Sequence, residues 1–434
     1  MSRITIKKAK EQKTGQVSIA GFVQNLRLHK NIAFIDLRDE SAVMQLVLEE
    51  TNLDFSEVKK ITLESVIAVS GTLKEKPSKK NEEKGEADYE LLVNSLEIYS
   101  LASENLAISV LNKADNEAGV EARFNYRWLD LRQKDKQLIF KVWTILEAAF
   151  RTELIERNFT QIHSPCFMST ASESGAEVFK VKYFDREAYL AQSPQFYKQM
   201  AMASGFEKVF SFGPVFRAEP SFTSRHLTEF IGWDFELSYI NSHFDIMKLE
   251  EEVISKSFAK LKQELDLDIN VPKLPFPKIS IKEAKEKLAK KNIDSEKDDD
   301  LSPEEERGIS KIVKEELDSD FVFITDYPIS ARPFYHMRYE DKPNLTKSFD
   351  LLYKGIEITT GSQREHRLDI LEKQAKEKGI DISEIKNYLD FFRYGCPPHG
   401  GVGIGPARII MKLLNYDNVK EVCFLPRDVR RLTP

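Results

Sequence analysis

The sequence predicts a small closed β-barrel followed by a larger α+β domain. Three observations lead there. Residues 14–100 divide into five short apolar strands separated by polar turns, residues 121–434 mix helix-spaced apolar patterns with apolar strands, and no fixed-period repeat runs through that second part. With 434 residues, 41% hydrophobic and 31% charged, the chain has material for two or three buried cores.

The barrel strands are VSIAGFV, NIAFIDLRD, AVMQLVLEE, SVIAVSGTL and YELLVNSLEIYS, rich in Val, Ile and Leu. A five-stranded barrel of this length is most commonly the OB-fold, whose face and loops bind single-stranded nucleic acid or sugars. This domain is expected over residues 1–100. The loop KEKPSKKNEEKG carries Lys74, Lys76, Lys79, Lys80 and Lys84, which either steer phosphates or form a solvated hairpin. Residues 101–120 lose strand character and read as a linker.

Beyond it, FKVWTILEAAFRTELIERNF spaces Val142, Ile145, Leu146, Ala149, Phe150 and Leu154 at helical intervals, and a strand ending TQIHSPCF follows. Residues 283–319 are dominated by charge and read as exposed helices around an acidic loop, with no chemistry assigned. A net charge of −6 does not mark a nucleic-acid binder, although a local basic patch acts within roughly 10 Å whatever the total. No run of about 18 apolar residues is present and the start, MSRITIKKAKEQK, lacks the apolar core of an export signal. A cytoplasmic protein with no membrane partner is expected. Cys166, Cys396 and Cys423 lie far apart without C-x-x-C spacing, which suits core thiols better than disulfides or zinc.

Candidate chemistry gathers in three segments. In FRAEPSFTSRHLTEF, the strand EKVFSFGPVFRAE ends in charge, SFTS is a loop, and HLTEFIGWDFELSYI resumes apolar alternation. Arg217 and Glu219 share a strand face across the loop from Arg225 and His226; these groups either face a charged ligand or pair among themselves. In IEITTGSQREHR, Glu357 is followed by Thr360, Gly361, Ser362 and Arg364. In HGGVGIGPARIIMKLL, glycines 400, 401, 403 and 405 let backbone approach a ligand before a helix that opens with Arg408. That run is not a dinucleotide fingerprint, because no βαβ unit with an acidic residue about 20 positions later follows.

Taken in order, these segments resemble the three motifs of class II aminoacyl-tRNA synthetases: motif 1 at about 138–165, motif 2 at about 208–238 with FRAE and RHLTEF, and motif 3 at about 400–415 with GVGIGPAR. RFNYRWLDLR, AQSPQFYKQMAMASG, RPFYHM, EITTGSQREHR and LPRDVRRLTP are similar to signatures of the aspartyl enzymes. The resemblance covers almost the whole chain and is to the compact archaeal and eukaryotic type, without the large domain that bacterial forms insert between motifs 2 and 3. It implies a catalytic domain over residues 121–434 built on an antiparallel sheet, preceded by an OB-fold anticodon-binding domain.

The resemblance also implies a reaction. An amino acid is joined to ATP as an aminoacyl-adenylate and then passed to the 3′ end of tRNA(Asp), with tRNA(Asn) open as a second acceptor. The carboxylate nucleophile is already ionised at pH 7, so catalysis is positioning and charge stabilisation. Arg217 would bridge that carboxylate and the α-phosphate, and Arg225, His226 and Arg408 would hold the β- and γ-phosphates. Glu219 would read the adenine amino group while Phe230 and Arg408 stack on its two faces. Ala218, Leu227, Gly405, Pro406 and Ala407 complete the implied ATP contacts, and Glu357 with Thr360 would carry Mg²⁺. Two departures stand out: Pro406-Ala407 where relatives have a small or apolar residue then glutamate, and Thr360 where many have serine.

For L-aspartate the implied contacts are Glu173, Gln195, Phe196, Tyr197, Lys198, Arg217, Thr360 and Arg364. Lys198 and Arg364 would meet the side-chain carboxylate, whereas a neutral amide would leave a cation unpaired. Glu173 would hold the ammonium group or, alternatively, is a solvated loop acid. The enzyme alternative is an asparaginyl-tRNA synthetase; the non-catalytic one, an RNA-binding paralogue, would be marked by a lost motif 2 or 3 arginine, and both are present. In the barrel, Phe34 and Gln45 match anticodon-reading positions, with a core role open for Phe34. Glu90 matches the residue that tells C from U, or is a solvent-facing strand glutamate, and Gln24 stands where discriminating archaeal relatives carry an aromatic. Motif 1 implies a homodimer, supported by the broad apolar face of a helix over about 138–158.

Overall fold

The computed structural model describes residues 2–76, 88–111, 118–169, 177–295, 297 and 299–434. Glu173, Lys79, Lys80 and Lys84 lie outside the described residues. The chain forms two compact units, Met1–Lys134 and Asp135–Pro434.

In the first unit, helix α1 (Ile6–Gln12) leads into strands β1 (Gln16–Leu28), β2 (Ile32–Arg38) and β3 (Val43–Glu49), followed by helix α2 (Phe55–Val58) and strands β4 (Val66–Glu75) and β5 (Tyr89–Ser100). The strands close a barrel in the order β1-β2-β3-β5-β4. Period-two alternation explains the closure: Ala33, Ile35 and Leu37 of β2, Met44, Leu46 and Leu48 of β3, and Leu91 and Val93 of β5 all enter one core. A Cβ at Gly71 would stand 2.1 Å from the Leu92 carbonyl oxygen, so only glycine lets β4 and β5 approach there. A register shift between Val23 and Asn25 makes a bulge at Gln24. The expected linker is more than a tether. Its Ile108 and Val110 are buried with Leu129 in a small core, next to helices α3 (Val120–Asn125) and α4 (Arg127–Asp130). Residues 121–134, expected to open the second domain, therefore group with the first unit.

The second unit opens with α5 (Lys134–Glu156) and β6 (Thr160–Gln161). Strands β7 (Phe167–Met168), β8 (Lys180–Tyr183) and β9 (Arg186–Leu190) make a small sheet, and α6 (Gln195–Ala203) follows. Next come the hairpin β10 (Lys208–Phe216) and β11 (Glu229–Ser238), α7 (His243–Glu264), β12 (Lys278–Ser280), α8 (Ile281–Ala289) and α9 (Pro303–Leu317). The chain ends through β13 (Phe321–Thr325), β14 (Ser348–Tyr353), β15 (Ile356–Arg364), α10 (Leu368–Glu377), α11 (Lys386–Arg393), β16 (His399–Ile404) and α12 (Pro406–Leu413).

The main sheet runs β12-β13-β14-β15-β16-β11-β10-β6. Its inner strands are antiparallel as expected, but both edges are parallel, β12 to β13 and β6 to β10, so the sheet is mixed. The helices α5, α7 and α12 bury their apolar faces in one core with the sheet residues Trp233, Phe235 and Phe349. Trp143 and Ile145 of α5 also pack on this core, and Trp143 donates to the Val422 carbonyl at 2.8 Å. Helix α9 overturns the reading of 283–319 as exposed: Glu305, Glu306, Ile309 and Val313 are buried. The cysteines are half-buried and form no disulfide, with Cys396 and Cys423 at the edge of apolar cores rather than inside them. No helix among the described residues is long and apolar enough to cross a membrane.

Candidate active site

A cavity of about 480 Å³ is lined by β11, β15 and β16, by the loop joining β10 to β11, and by the start of α12. Register brings the three distant segments together, since β16 pairs with β11 on one side (Asp234 opposite Gly403) and β15 on the other (Thr360 opposite Gly403). The glycines of β16 serve this pairing more than a ligand. A Cβ at Gly401 would meet Phe235 O at 2.1 Å and the Glu236 carboxylate at 2.3 Å, and one at Gly400 would meet Ser362 O at 2.5 Å. Only Gly403 and Gly405 of the four line the cavity.

One side of the cavity is rich in guanidinium and carboxylate groups. Arg217 lies just past the end of β10, with its guanidinium 5.7 Å from the centre of the Phe230 ring and 3.9 Å from Glu219. Arg408 donates to the Glu357 carbonyl at 2.8 Å and stands 3.9 Å from its carboxylate. Thr360 donates its hydroxyl to Glu357 at 2.9 Å. Burial pushes the Glu357 carboxyl up, but Arg408, Thr360 and the other arginines outweigh it and hold it below the usual carboxylate range. His226 is held below the usual histidine range by burial and then by Arg408, so at pH 7 it is a neutral hydrogen-bonding group rather than a third cation. Its Nδ1 lies 3.0 Å from the Ser221 hydroxyl. The loop is held from outside by the chain's end, as Thr228 N–H donates to the Arg427 carbonyl at 3.0 Å.

The opposite wall is a buried ionic lattice. Lys198, with no exposed side-chain surface, donates to Asp234 at 2.8 Å and to the Val402 carbonyl at 2.8 Å, and lies 3.3 Å from Glu236. Arg364 gives its Nε–H to Glu236 at 3.0 Å, two bonds from Nη1 to Ser362 and His336, and one from Nη2 to the Gly401 carbonyl. Of five guanidinium N–H groups, four are used, and the residue lines the cavity. The two cations expected for a substrate carboxylate thus differ. Lys198 is committed and sits behind the wall; Arg364 reaches the cavity.

Of the other expected residues, Gln195, Glu219, Arg225, Leu227, Phe230 and Ala407 line the cavity. Phe196, Tyr197, Lys198, Ala218 and Pro406 do not. Phe196 instead stacks on Tyr388 at 4.1 Å, and Pro406 is the first residue of α12, where its fixed φ and missing N–H are tolerated. Ala407 is buried among apolar side chains of the core, which suits a methyl group there. Sequence reasoning missed Glu306 on α9, which takes both Nη groups of Arg225 at 3.0 and 2.5 Å, and Asp234, Glu236, Arg332 and Asp350. Asp234 and Glu236 stand in the motif 2 segment, where they pass for alternating strand residues, and Arg332 opens RPFYHM, but the sequence assigns no role to any of them; Glu306 and Asp350 lie outside those segments.

A second surface lies on the barrel. On β2 the inward set is Ala33, Ile35 and Leu37, so Phe34 points outward and is half-buried, which removes its core alternative. Gln45 of β3 pairs with Glu90 of β5, and Val47 beside Gln45 pairs with Phe34, so the three expected residues share the outer face. Arg27, the β1 partner of Phe34, places its guanidinium 5.6 Å from that ring, and His29 meets it edge-on at 6.1 Å. A stacking ring flanked by a cation is suited to an unpaired base.

Residues 119–429 match the family described as tRNA synthetases class II (D, K and N), and residues 17–99 match the OB-fold nucleic acid binding domain. The chain is 40% identical over 429 residues to the aspartate–tRNA(Asp/Asn) ligase of Methanopyrus kandleri, covering 96% of each. It is 38% identical over 429 residues to the aspartate–tRNA(Asp) ligase of Pyrococcus horikoshii, again covering 96% of each. Among solved structures, the asparaginyl-tRNA synthetase of Pyrococcus horikoshii complexed with asparaginyl-adenylate superimposes with a TM-score of 0.88 at 32% identity, with both chains covered in full.

Proposed function

Because the chain belongs to the class II tRNA synthetases that handle aspartate, lysine and asparagine, we propose that it is an aspartate–tRNA ligase using ATP. The observation that carries the reading is a single cavity with Arg217, Arg225, Arg408, Glu357 and Thr360 on one side and Arg364 on the other. The cation-rich side suits a triphosphate. The Arg364 side suits a small anion, whose carboxylate would accept from the remaining guanidinium N–H; an amide brings no charge to that donor.

In the first step an oxygen of the aspartate α-carboxylate attacks the α-phosphorus of ATP, and the bond to the bridging oxygen breaks as pyrophosphate leaves. Arg217 lines the cavity and would donate to both reacting groups, its charge offsetting what builds on the α-phosphate. Glu219, 3.9 Å from Arg217, would accept from the adenine amino group, and Phe230 would stack on the base. Gln195 borders the amino-acid end. Glu357 and Thr360 fit a hard divalent cation, being an ionised carboxylate and a hydroxyl 2.9 Å apart that leave most of the shell to phosphate and water oxygens. Mg²⁺ bound there would screen the phosphate charge. In the second step a hydroxyl of the terminal tRNA ribose attacks the carbonyl carbon of the adenylate, and AMP leaves. Phe34, Gln45 and Glu90 would read the anticodon on the barrel face. A homodimer through motif 1 fits the exposed Ile155 and Phe167, at 54% and 55%. Exchange of labelled pyrophosphate into ATP tests the reading: aspartate with Mg²⁺ is expected to support it and asparagine to fail, and the reverse order identifies the asparagine enzyme instead.

A further inference from the structure

Helix α9 belongs to neither of the motif segments, yet it delivers one carboxylate to the cavity's edge. Glu306 takes Arg225 end-on, Nη1 to Oε1 at 3.0 Å and Nη2 to Oε2 at 2.5 Å, and Oε2 also accepts the backbone N–H of Glu357 at 3.2 Å. Both side chains are largely buried, Glu306 at 7% and Arg225 at 15% exposure. Arg225 lines the cavity and Glu306 stands behind it.

Besides its own cap, three contacts dock α9, two on α8 and the chain after it and one on the sheet. Ser302 and Glu305 form a reciprocal capping box at its start, and Lys285 of α8 pairs with Glu305 at 2.9 Å. Gly308 lies so close to α8 and the chain after it that an added Cβ would meet Leu288 and Ile293 at 2.8 and 2.6 Å. Gly355, at φ +82 in the turn from β14 to β15, packs on Arg307. Glu306 therefore cannot withdraw without moving a docked helix.

From this geometry we infer that Glu306 is a positioning residue for the triphosphate, setting the guanidinium of Arg225 and the backbone of Glu357 at a fixed separation. The inference rests on the ATP-dependent reading above. An end-on pair uses one hydrogen of each Nη and leaves three of the five donors, including Nε–H, for phosphate oxygens. Glu306 thus holds Arg225 without consuming it. Without the carboxylate, a long cationic side chain regains its rotamers and must be ordered at each binding event.

The test uses the full chain in pyrophosphate exchange with Glu306→Gln, Glu306→Ala, Arg225→Ala and the double Arg225→Ala/Glu306→Ala variant. Glu306→Gln keeps the shape and an acceptor for Glu357 N–H, so it remains informative where Glu306→Ala fails to fold. KM for ATP is expected to rise about tenfold in Glu306→Ala and less in Glu306→Gln, with kcat changed far less. Affinity for a non-hydrolysable aspartyl-adenylate analogue, which lacks the β- and γ-phosphates, should stay within about twofold, a split that general loss of structure does not produce. The double variant should be no worse for ATP than Arg225→Ala alone. An unchanged or lower KM for ATP, a parallel loss of analogue affinity, or losses that add in the double variant would each overturn the inference. Absence of aspartate-dependent exchange in the unaltered protein would instead remove the underlying reading.

Discussion

Lys198 shows how burial changes what a residue can be asked to do. Its ammonium donates to the Asp234 carboxylate and the Val402 carbonyl and lies 3.3 Å from the Glu236 carboxylate. Replacing it strands buried negative charge beside Arg364, so Lys198→Leu is expected to lose on the order of 3–5 kcal/mol of stability in denaturant unfolding, well before any question of substrate arises. A variant as stable as the parent would return Lys198 to the role of a simple substrate contact. Arg217 is the opposite case, since it lies just past the end of β10 with its side chain 42% exposed. Arg217→Ala should fold normally yet lose on the order of 3 kcal/mol of transition-state stabilisation, read as pyrophosphate exchange. Exchange near the parental rate would sink its assignment. The contrast explains what sequence could reveal. Arg217, Arg225, Glu357 and Arg408 were legible because each sits in a short segment that resembles a family motif, where residue types alone left pairing among themselves open. Glu306 was not, because it is one glutamate in a run PEEER, and only the docking of α9 says which of the three meets Arg225.

At the scale of elements, runs rich in Val, Ile and Leu between polar turns gave the barrel strands but left their inward faces open, as Phe34 shows, and helical spacing gave α5 to within a few residues, Lys134–Glu156 against about 138–158. Alternation cannot show strand order, so the parallel edges β6 and β12 were missed along with the burial of α9. Helix α7 carries another feature invisible in sequence. Glu250 is fully buried on it, and burial, with Glu251 and Asp350 adding like charge, pushes its carboxyl up to about 8. The folded chain then holds a proton that the unfolded chain gives up near its ordinary value of 4.5. Stability from this group is complete below about pH 4.5 and falls as pH rises through about 8. Glu250→Gln, which cannot ionise, should therefore overtake the parent on going from pH 5 to pH 9, by a few kcal/mol on the order set by the shift. Thermal unfolding of both proteins across that range checks it, and parallel curves would show that Glu250 does not titrate with folding.

For the whole molecule, the proposed function divides into two separable assays: adenylate formation is assigned to the cavity of the second unit, while charging of tRNA would also draw on the barrel face. Phe34 faces outward, so Phe34→Ala should spare exchange and weaken charging by about 1–3 kcal/mol, the worth of one stacked base; equal loss in both assays would mean a folding defect. Assembly is tested by light scattering at micromolar protein, where a homodimer gives twice 50.0 kDa and a monomer refutes it. The choice of tRNA is the finer question, because the curated relatives divide between names specifying tRNA(Asp) and names specifying tRNA(Asp/Asn). The anticodons differ at the third base, C against U. Cytosine offers an amino donor where uracil offers a carbonyl acceptor, so a carboxylate at that edge favours C. Glu90 lies on the outer face directly opposite Gln45, two residues along β3 from Val47, the partner of Phe34, which puts a carboxylate within the same surface as the stacking ring. Gln24 stands at the β1 bulge, on the strand that pairs with Phe34's β2, and its amide would pair with either base. A preference of about 1–3 kcal/mol for C follows, enough to favour tRNA(Asp) without excluding tRNA(Asn). Charging of transcripts bearing GUC and GUU anticodons measures it directly. Equal efficiencies would remove the preference, and a ratio unchanged in Glu90→Gln would remove Glu90 as its source.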